Sequence, residues 1–351
     1  MGMKRKTFRY NLITYGIVIG AFILVQALLS AGKLSSLMSG LLVPICTYVV
    51  LAISLNLVVG ISGELSLGHA GFMCVGAFAG AFFSRCVKDS ITVGPLRLLL
   101  AICIGAAAAA VFGFLIGVPV LRLKGDYLAI VTLAFGEIIK NVMNIFYVGR
   151  DSAGFHVSVK DQFSLNMEPG GDLIISGPMG ITGTPKDSTF LAGVILILVT
   201  LFIVLNLINS RDGRAIMAIR DNRIAAESVG LNITRYKLMA FTISAALAGA
   251  AGSLYAHNLA TLQAKKFDYN TSILALVFVV LGGIGNIRGS IIAAVVLTAL
   301  PEMLRGLSNY RMLIYSIVLI IVMLYNWAPK AKMMREQLRA RFTANRSKGV
   351  S

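Results

Sequence analysis

The 351-residue chain is 57% hydrophobic and only 13% charged, with a mean hydropathy of +0.82, whereas ordinary globular domains are roughly half apolar and a quarter charged. That balance excludes a water-soluble fold. The net charge of +17, from 32 Lys and Arg against 15 Asp and Glu, would point to nucleic acid in a soluble protein; in a membrane protein the question is where along the chain the charges fall.

A short basic N-terminus, residues 1–12 with Lys4, Arg5, Lys6 and Arg9, leads into an apolar run at 13–29. The pairing resembles a signal peptide. The run is longer than the apolar core of one, however, and no small-x-small cleavage site follows, so it reads as an uncleaved first span. Further runs of crossing length follow at 37–59, 63–83, 96–120, 127–147, 189–208 and 236–257. The stretch 271–304 is too long for one helix. It is interrupted by Gly282, Gly283, Gly285, Asn286, Arg288 and Gly289, so it reads as two short spans, and a last run covers 311–327.

Charge decides the count, because short cytoplasmic segments carry excess Lys and Arg. With ten spans and both ends inside, the inside segments hold twenty basic and six acidic residues, against eleven and eight outside. Nine spans would put the basic tail 328–351 outside. The expectation is an all-α polytopic bundle of about ten transmembrane helices over 13–327, with the 63–83 run and the glycine-rich break as places where the chain re-enters or breaks. An extracytoplasmic loop at 148–188 and a cytoplasmic loop at 210–237 complete the plan. Being rich in Gly, Pro, Ser and Asp, the outer loop is expected to be too short and loop-like for a domain. The basic excess is then chiefly an orientation signal.

Stripes of small residues (Gly105, Ala109, Gly113, Gly117; Ala245, Ala248, Gly249, Gly252) suit close helix packing in lipid, where apolar surface alone does not hold helices together. Cys46, Cys74, Cys86 and Cys103 lie in or beside apolar runs without metal-site or disulfide-framework spacing, and His69, His156 and His257 are far apart. No metal site and no catalytic residue is expected.

Three features rise above packing. Gly60-Ile61-Ser62-Gly63-Glu64-Leu65-Ser66-Leu67-Gly68-His69-Ala70-Gly71-Phe72 puts glycines, serines, a carboxylate and a histidine between two apolar runs. Such an irregular backbone is tolerated at membrane depth only when buried in protein or facing a watery cavity; a tight cytoplasmic turn is the alternative. Glu137 and Lys140, inside a span, fall on one helical face and can pair with each other or serve function. The segment from Gly213 to Asn232 has an Ala-rich, apolar-periodic middle that predicts a short amphipathic helix ended by Gly230. Its mixed charge favours docking to a protein over lying on lipid.

Gly68-His69-Ala70, the run from Gly125-Asp126-Tyr127 to Gly136-Glu137, the Arg214-to-Asn232 segment and Gly282-Gly283-Ile284-Gly285-Asn286-Ile287-Arg288-Gly289 together resemble the permease subunits of branched-chain amino acid ATP-binding-cassette importers. The chain looks like the M-type member of the usual dissimilar pair, over about residues 51–305. The resemblance implies a type II importer-like fold in a bacterial-type plasma membrane, with N- and C-termini cytoplasmic. It also implies four kinds of partner: a second homologous permease, two cytoplasmic ATP-binding subunits, an extracytoplasmic substrate-binding protein and membrane lipid. No cofactor is implied in this chain, since ATP would be bound by the partner subunits, and no GxxxxGK[ST] loop occurs.

By the same resemblance the coupling residues are Arg214, Arg220, Ala225, Ala226, Glu227 and Gly230. Ala225, Ala226 and Gly230 match the family's Glu-Ala-Ala-x-x-x-Gly loop, with Ile224 in the acid's place. Asn56, Ser66, His69, Thr132 and Glu137 are candidates for the translocation path, and Gly63, Gly68, Gly283 and Gly285 for broken-helix glycines. A weak echo between Val58–Gly63 and Val280–Gly285 hints at an internal repeat. The alternatives are a permease for urea or amides, an ion-coupled secondary transporter, for which buried carboxylates other than Glu137 are missing, and an intramembrane enzyme, for which no nucleophile–base cluster is evident.

Overall fold

The computed structural model describes residues 2–304 apart from 33, 34, 89, 124, 153, 168 and 169, together with scattered positions between 310 and 324. The expected last span at 311–327 lies largely outside the described residues, and Lys124 and the basic tail wholly so. Packing divides the chain into two compact units, Met1–Val295 and Val296–Ser351. The first holds nearly all of the described residues.

Helix α1 (Gly2–Ser30) is followed by α2 (Ser36–Asn56), which continues as a π-helical turn, Leu57–Ser62. Then come α3 (His69–Cys86), α4 (Gly94–Val120) and α5 (Asp126–Asn144). Strands β1 (Tyr147–Arg150), β2 (Phe155–Ser158), β3 (Asp172–Ser176) and β4 (Ile181–Thr182) precede α6 (Phe190–Asn209), α7 (Arg211–Asp221), α8 (Arg223–Ser228) and α9 (Ile233–Ala256). Strand β5 (Thr261–Leu262), α10 (Tyr269–Gly282) and α11 (Ile287–Met303) follow, with three short 3-10 turns (Phe163–Leu165, Gly177–Met179 and Ala264–Lys266) in the connections.

Five stretches are long and apolar enough to cross a membrane: Asn11–Ser30, Met38–Ser62, Gly94–Val120, Phe190–Asn209 and Ile233–Ala256. The count of ten is thus not established by helix length. Helix α10 has 14 residues, about 21 Å at 1.5 Å per residue against roughly 30 Å of hydrocarbon. Helix α5 carries Asp126, Glu137 and Lys140, and α3 begins only at His69 rather than at Gly63 as the apolar run predicted. Polar side chains start the helices: Thr189, Ser210, Asn222, Asn232 and Asp268 each accept the backbone N–H three residues on.

The centre is built on α3, α4 and α9, and the small-residue stripes are its contact surfaces. A Cβ on Gly249 would lie 2.6 Å from the Gly105 carbonyl oxygen, and one on Gly113 would lie 2.5 Å from Ala245 Cβ. Ser253 Oγ donates to Gly76 O at 2.8 Å across the α3–α9 contact. With helices this close, dispersion and inter-helix hydrogen bonds replace the hydrophobic drive that lipid does not supply.

The 148–188 segment departs from the expected loop, and the fold from a purely helical one. It contributes four strands to a five-stranded sheet in the order β2-β1-β3-β4-β5, all pairs antiparallel. Val148, Ile174, Ile175, Ile181 and Leu262 are buried in it. Two arginines tie the sheet end of the molecule together. Arg85, at the end of α3, pairs with Asp172 at 2.8 Å and donates to Thr182 O; Arg97 in α4 makes a forked pair with Asp187 at 2.8 and 2.9 Å. Three segments assigned outside by charge, those after α3, between α5 and α6, and after α9, are therefore tied together at one end of the helices.

Candidate functional site

Among the described residues, three of the segments assigned inside, around Gly60 to Glu64, Arg220 to Lys237 and Gly285, meet at the point where α2 stops. The π-helical turn closes at Gly63, which is left-handed (φ 75°) with its N–H on Val58 O. Glu64 N also goes to Val58 O, at 3.1 Å. Residues 63–68 then run without helical structure until α3 starts.

Each side of this segment is held by a different element. Leu67 N donates to Thr132 Oγ1 of α5 at 3.1 Å, and Ala70 N to Ser272 Oγ of α10 at 3.0 Å. A Cβ on Gly68 would sit 2.7 Å from the Thr132 carbonyl carbon, so only glycine allows the approach. Gly60, ten residues before Ala70, lies against Gly285 just beyond the far end of α10: a Cβ there would fall 2.6 Å from Gly285 Cα. The segment thus runs alongside the whole of α10, from just past its last turn back to its first.

Asn56 is fully buried and fastens the two glycine breaks to each other. Its Oδ1 accepts from Gly285 N at 2.9 Å and its Nδ2 donates to Ser290 Oγ at 2.9 Å. The two stretches whose sequences echo one another are therefore neighbours, with Gly283 and Gly285 both at positive φ (94° and 80°). His69 Nε2 lies 2.8 Å from Ser54 Oγ, which donates its own hydrogen to Leu51 O. Thr132 Oγ1 also donates to Ala129 O. Ser66 is fully buried, and its Oγ has no hydrogen-bond partner among the described residues.

Of the five path candidates, Asn56, Ser66, His69 and Thr132 are thus gathered in or around the irregular segment. Glu137 faces elsewhere, pairing with Lys140 and accepting from Tyr269 N at the start of α10. The other histidines are occupied separately. His257 Nδ1 donates to Ser253 O at 2.7 Å while its Nε2 accepts from Ser84, and His156 pairs with Asp151 at 3.0 Å.

The 210–237 loop folds as two helices rather than the single one predicted. Asn222, extended at φ −152° and ψ 101°, breaks them and caps the second. Gly230, at φ 83°, ends it. The inner face, Ile219 and Ala226, packs on Ile233 of α9. Arg214 Nη1 donates to Asn209 O at the end of α6 at 3.0 Å. Arg220 turns inward: its Nη1 donates to Gly60 O at 2.8 Å, and its guanidinium pairs with Asp221 at 2.8 Å. Ala225, Glu227 and Gly230 are exposed, beside Ile224 at 81% and Val229 at 74%.

Sequence reasoning had no means to find two of these contacts. One is Arg220 on Gly60. The other is an ion pair between Glu64 and Lys237 whose side chains are only 12% and 13% exposed. Both join residues some 160–173 positions apart, and no local periodicity records such a pairing.

A family model described as the branched-chain amino acid transport system / permease component matches residues 37–323. The chain is 36% identical over 312 residues to the high-affinity branched-chain amino acid transport system permease protein LivM of Salmonella typhimurium, spanning 86% of this chain and 71% of the relative. It is 36% identical over 303 residues to LivM of Escherichia coli, spanning 83% and 69%. The ribose import permease protein RbsC of Escherichia coli is 26% identical over 285 residues, spanning 78% and 80%. No solved structure matches the chain.

Proposed function

The chain belongs to the family of branched-chain amino acid transport permeases, and from that premise we propose that it is the M-type transmembrane subunit of an ATP-driven importer of branched-chain amino acids. A second homologous permease completes the path, an extracytoplasmic binding protein delivers the solute, and two ATP-binding subunits dock from the cytoplasm. The chain sits in the bacterial-type inner membrane with both termini cytoplasmic. It holds no ATP itself. The energy enters through α7 and α8.

One observation carries this reading. The α7–α8 pair presents Ile224 and Val229 outward while its other face is fixed to α9 through Ile219, Ala226 and Ile233. Two exposed aliphatic side chains on a short, well-anchored helical pair fit the groove of a partner better than they fit water. Ile224 stands where family loops have an acid, so here the contact is apolar at that position.

Transport follows from differential contact. ATP binding closes the partner subunits and displaces α7–α8. The helices packed on that pair then move, and the path opens to one side or the other. Few charged groups are needed along it because no coupling ion is carried.

The test is uptake in vesicles holding the complete importer. Ile224→Lys, which places a charge of the opposite sign to the family's acid in the contact, should reduce co-purification of the ATP-binding subunits and leucine uptake by at least tenfold, with the permease still in the membrane. Normal uptake by that variant would refute the docking assignment.

A further inference from the structure

The inner end of the molecule holds a chain of contacts that the docking surface alone does not require. Resting on the reading of α7–α8 as the docking element, we propose that Arg220, the π-helical turn Leu57–Ser62 and Asn56 form a relay that transmits the position of α7 to the glycine break between α10 and α11.

The first link is set by the π geometry. In an α-helix the Gly60 carbonyl would receive the Glu64 N–H, but that N–H goes to Val58 O at 3.1 Å, as does the N–H of Gly63. The Gly60 oxygen instead takes Arg220 Nη1 at 2.8 Å. Gly60 O is thus one of the last-turn carbonyls that a helix end leaves free, and the π turn sets its direction toward Arg220.

The Arg220 stem is held as well as its head. A Cβ on Gly63 would fall 2.6 Å from Arg220 Cγ, so the aliphatic part of the side chain occupies the space a larger residue would fill. Because α7 is anchored through buried Ile216 and Ile219, Arg220 follows any movement of that helix and takes the turn with it.

The second link is Asn56, one residue before the turn. Its amide spans to Gly285 N and Ser290 Oγ, each at 2.9 Å. Because Asn56 and Ser290 are fully buried, breaking these hydrogen bonds leaves buried polar groups unpaired. The receiving side can move: Gly283 and Gly285 both have positive φ, and the bend between α10 and α11 hinges on them. The Glu64–Lys237 pair ties the end of the same turn to α9, so the turn pivots instead of sliding. Arg220 and Asn56 are positioning residues in this account. They act on the path through backbone that neither forms.

The experiment uses the complete importer in vesicles: both permeases, the ATP-binding subunits and the binding protein. Arg220→Met keeps the stem and removes the donors, Arg220→Lys restores a cationic donor, and Asn56→Leu removes the second link at similar volume. The expected result is that Arg220→Met and Asn56→Leu keep the ATP-binding subunits bound while uptake per ATP hydrolysed falls at least tenfold. The double variant should be no worse than either single, as links in one series require, and Arg220→Lys should recover most of the loss.

Three results overturn the relay. They are unchanged uptake per ATP in either single variant, losses that multiply in the double variant, and loss of ATPase binding in Arg220→Met, which would make Arg220 a docking contact. Should a single variant fail to reach the membrane, Arg220→Gln and Asn56→Ser take its place under the same criteria. Failure of the docking reading is separately visible, because Ile224→Lys would then leave ATPase binding intact.

Discussion

Substituting Gly76 by alanine isolates the packing at the centre of the bundle. The new Cβ would sit 2.5 Å from the carbonyl carbon of Gly249, and no flexible side chain is there to yield. Ordinary contact begins near 3.4 Å, so α3 and α9 must part by about 1 Å. Overpacking of this kind costs about 1–3 kcal/mol, and backbone against backbone belongs at the upper end. Separation also stretches the Ser253 Oγ to Gly76 O bond of 2.8 Å, adding about 0.6 kcal/mol if it is lost within a membrane. A total near 3 kcal/mol corresponds to a fall in thermal midpoint of roughly 6 °C, taking about 2 °C per kcal/mol.

The control lies in α1, where a Cβ on Gly16 or Gly20 meets nothing within 4 Å. Gly16→Ala should be neutral or stabilising by about 0.5–1 kcal/mol, since it removes backbone freedom from the unfolded chain. Midpoints of detergent-purified variants, followed by size-exclusion chromatography after heating, give the comparison. If Gly76→Ala and Gly16→Ala melt together, the close approach of α3 and α9 does not carry the stability assigned to it.

Removing one partner of the inner ion pair by Lys237→Met leaves the Glu64 carboxylate largely buried without a cation, which should destabilise by about 3 kcal/mol; adding Glu64→Gln should recover most of it, and a double variant as unstable as the single would contradict the pairing. Asp268 is a cap outside the spans: burial raises its carboxyl pKa, but hydrogen bonds from Asn270 and from the backbone and side chain of Thr271 outweigh this and hold it below its ordinary 3.8. Its stabilising contribution is therefore complete above that value and lost as the pH falls below it, whereas Asp268→Asn, which still caps, should melt without that acid dependence. For orientation, Phe163→Cys and Val229→Cys, at sites 91% and 74% exposed, should react with an impermeant maleimide from opposite sides of the membrane in a background lacking the native cysteines, and labelling from one side would overturn the inside and outside assignments.

The helices were legible because their ends are written locally. Thr189 and Asn232 stand close before apolar runs and Ser210 just after one, and the glycine cluster after Leu281 separates α10 from α11 much as the sequence implied. The small-residue stripes likewise announced the contacts they make. What stayed hidden depends on partners distant in the chain. The break at 63–68 was itself announced by Gly63 and Gly68, but not the hydrogen bonds that hold it, from Leu67 N to Thr132 and from Ala70 N to Ser272. The strands have only two to five residues each, too few for alternation to show. Arg220 sits on an amphipathic helix and stays partly exposed, as its charge predicts, yet one of its donors reaches the Gly60 carbonyl, a contact that nothing local in the sequence records.

Strand β5 bears on the order of events during synthesis. Ile181 of β4 pairs with Leu262 of β5, about 80 residues later, and α6, α7, α8 and α9 are all made in between. At roughly 5–20 residues per second, the free edge of β4 waits on the order of 4–16 s for its last neighbour. Strands β1 to β3 need no such delay, since their pairs close within some 30 residues. An unpaired edge invites mispairing with another nascent chain. Two residues per strand at β4 and β5 keep that edge short for as long as it stands open.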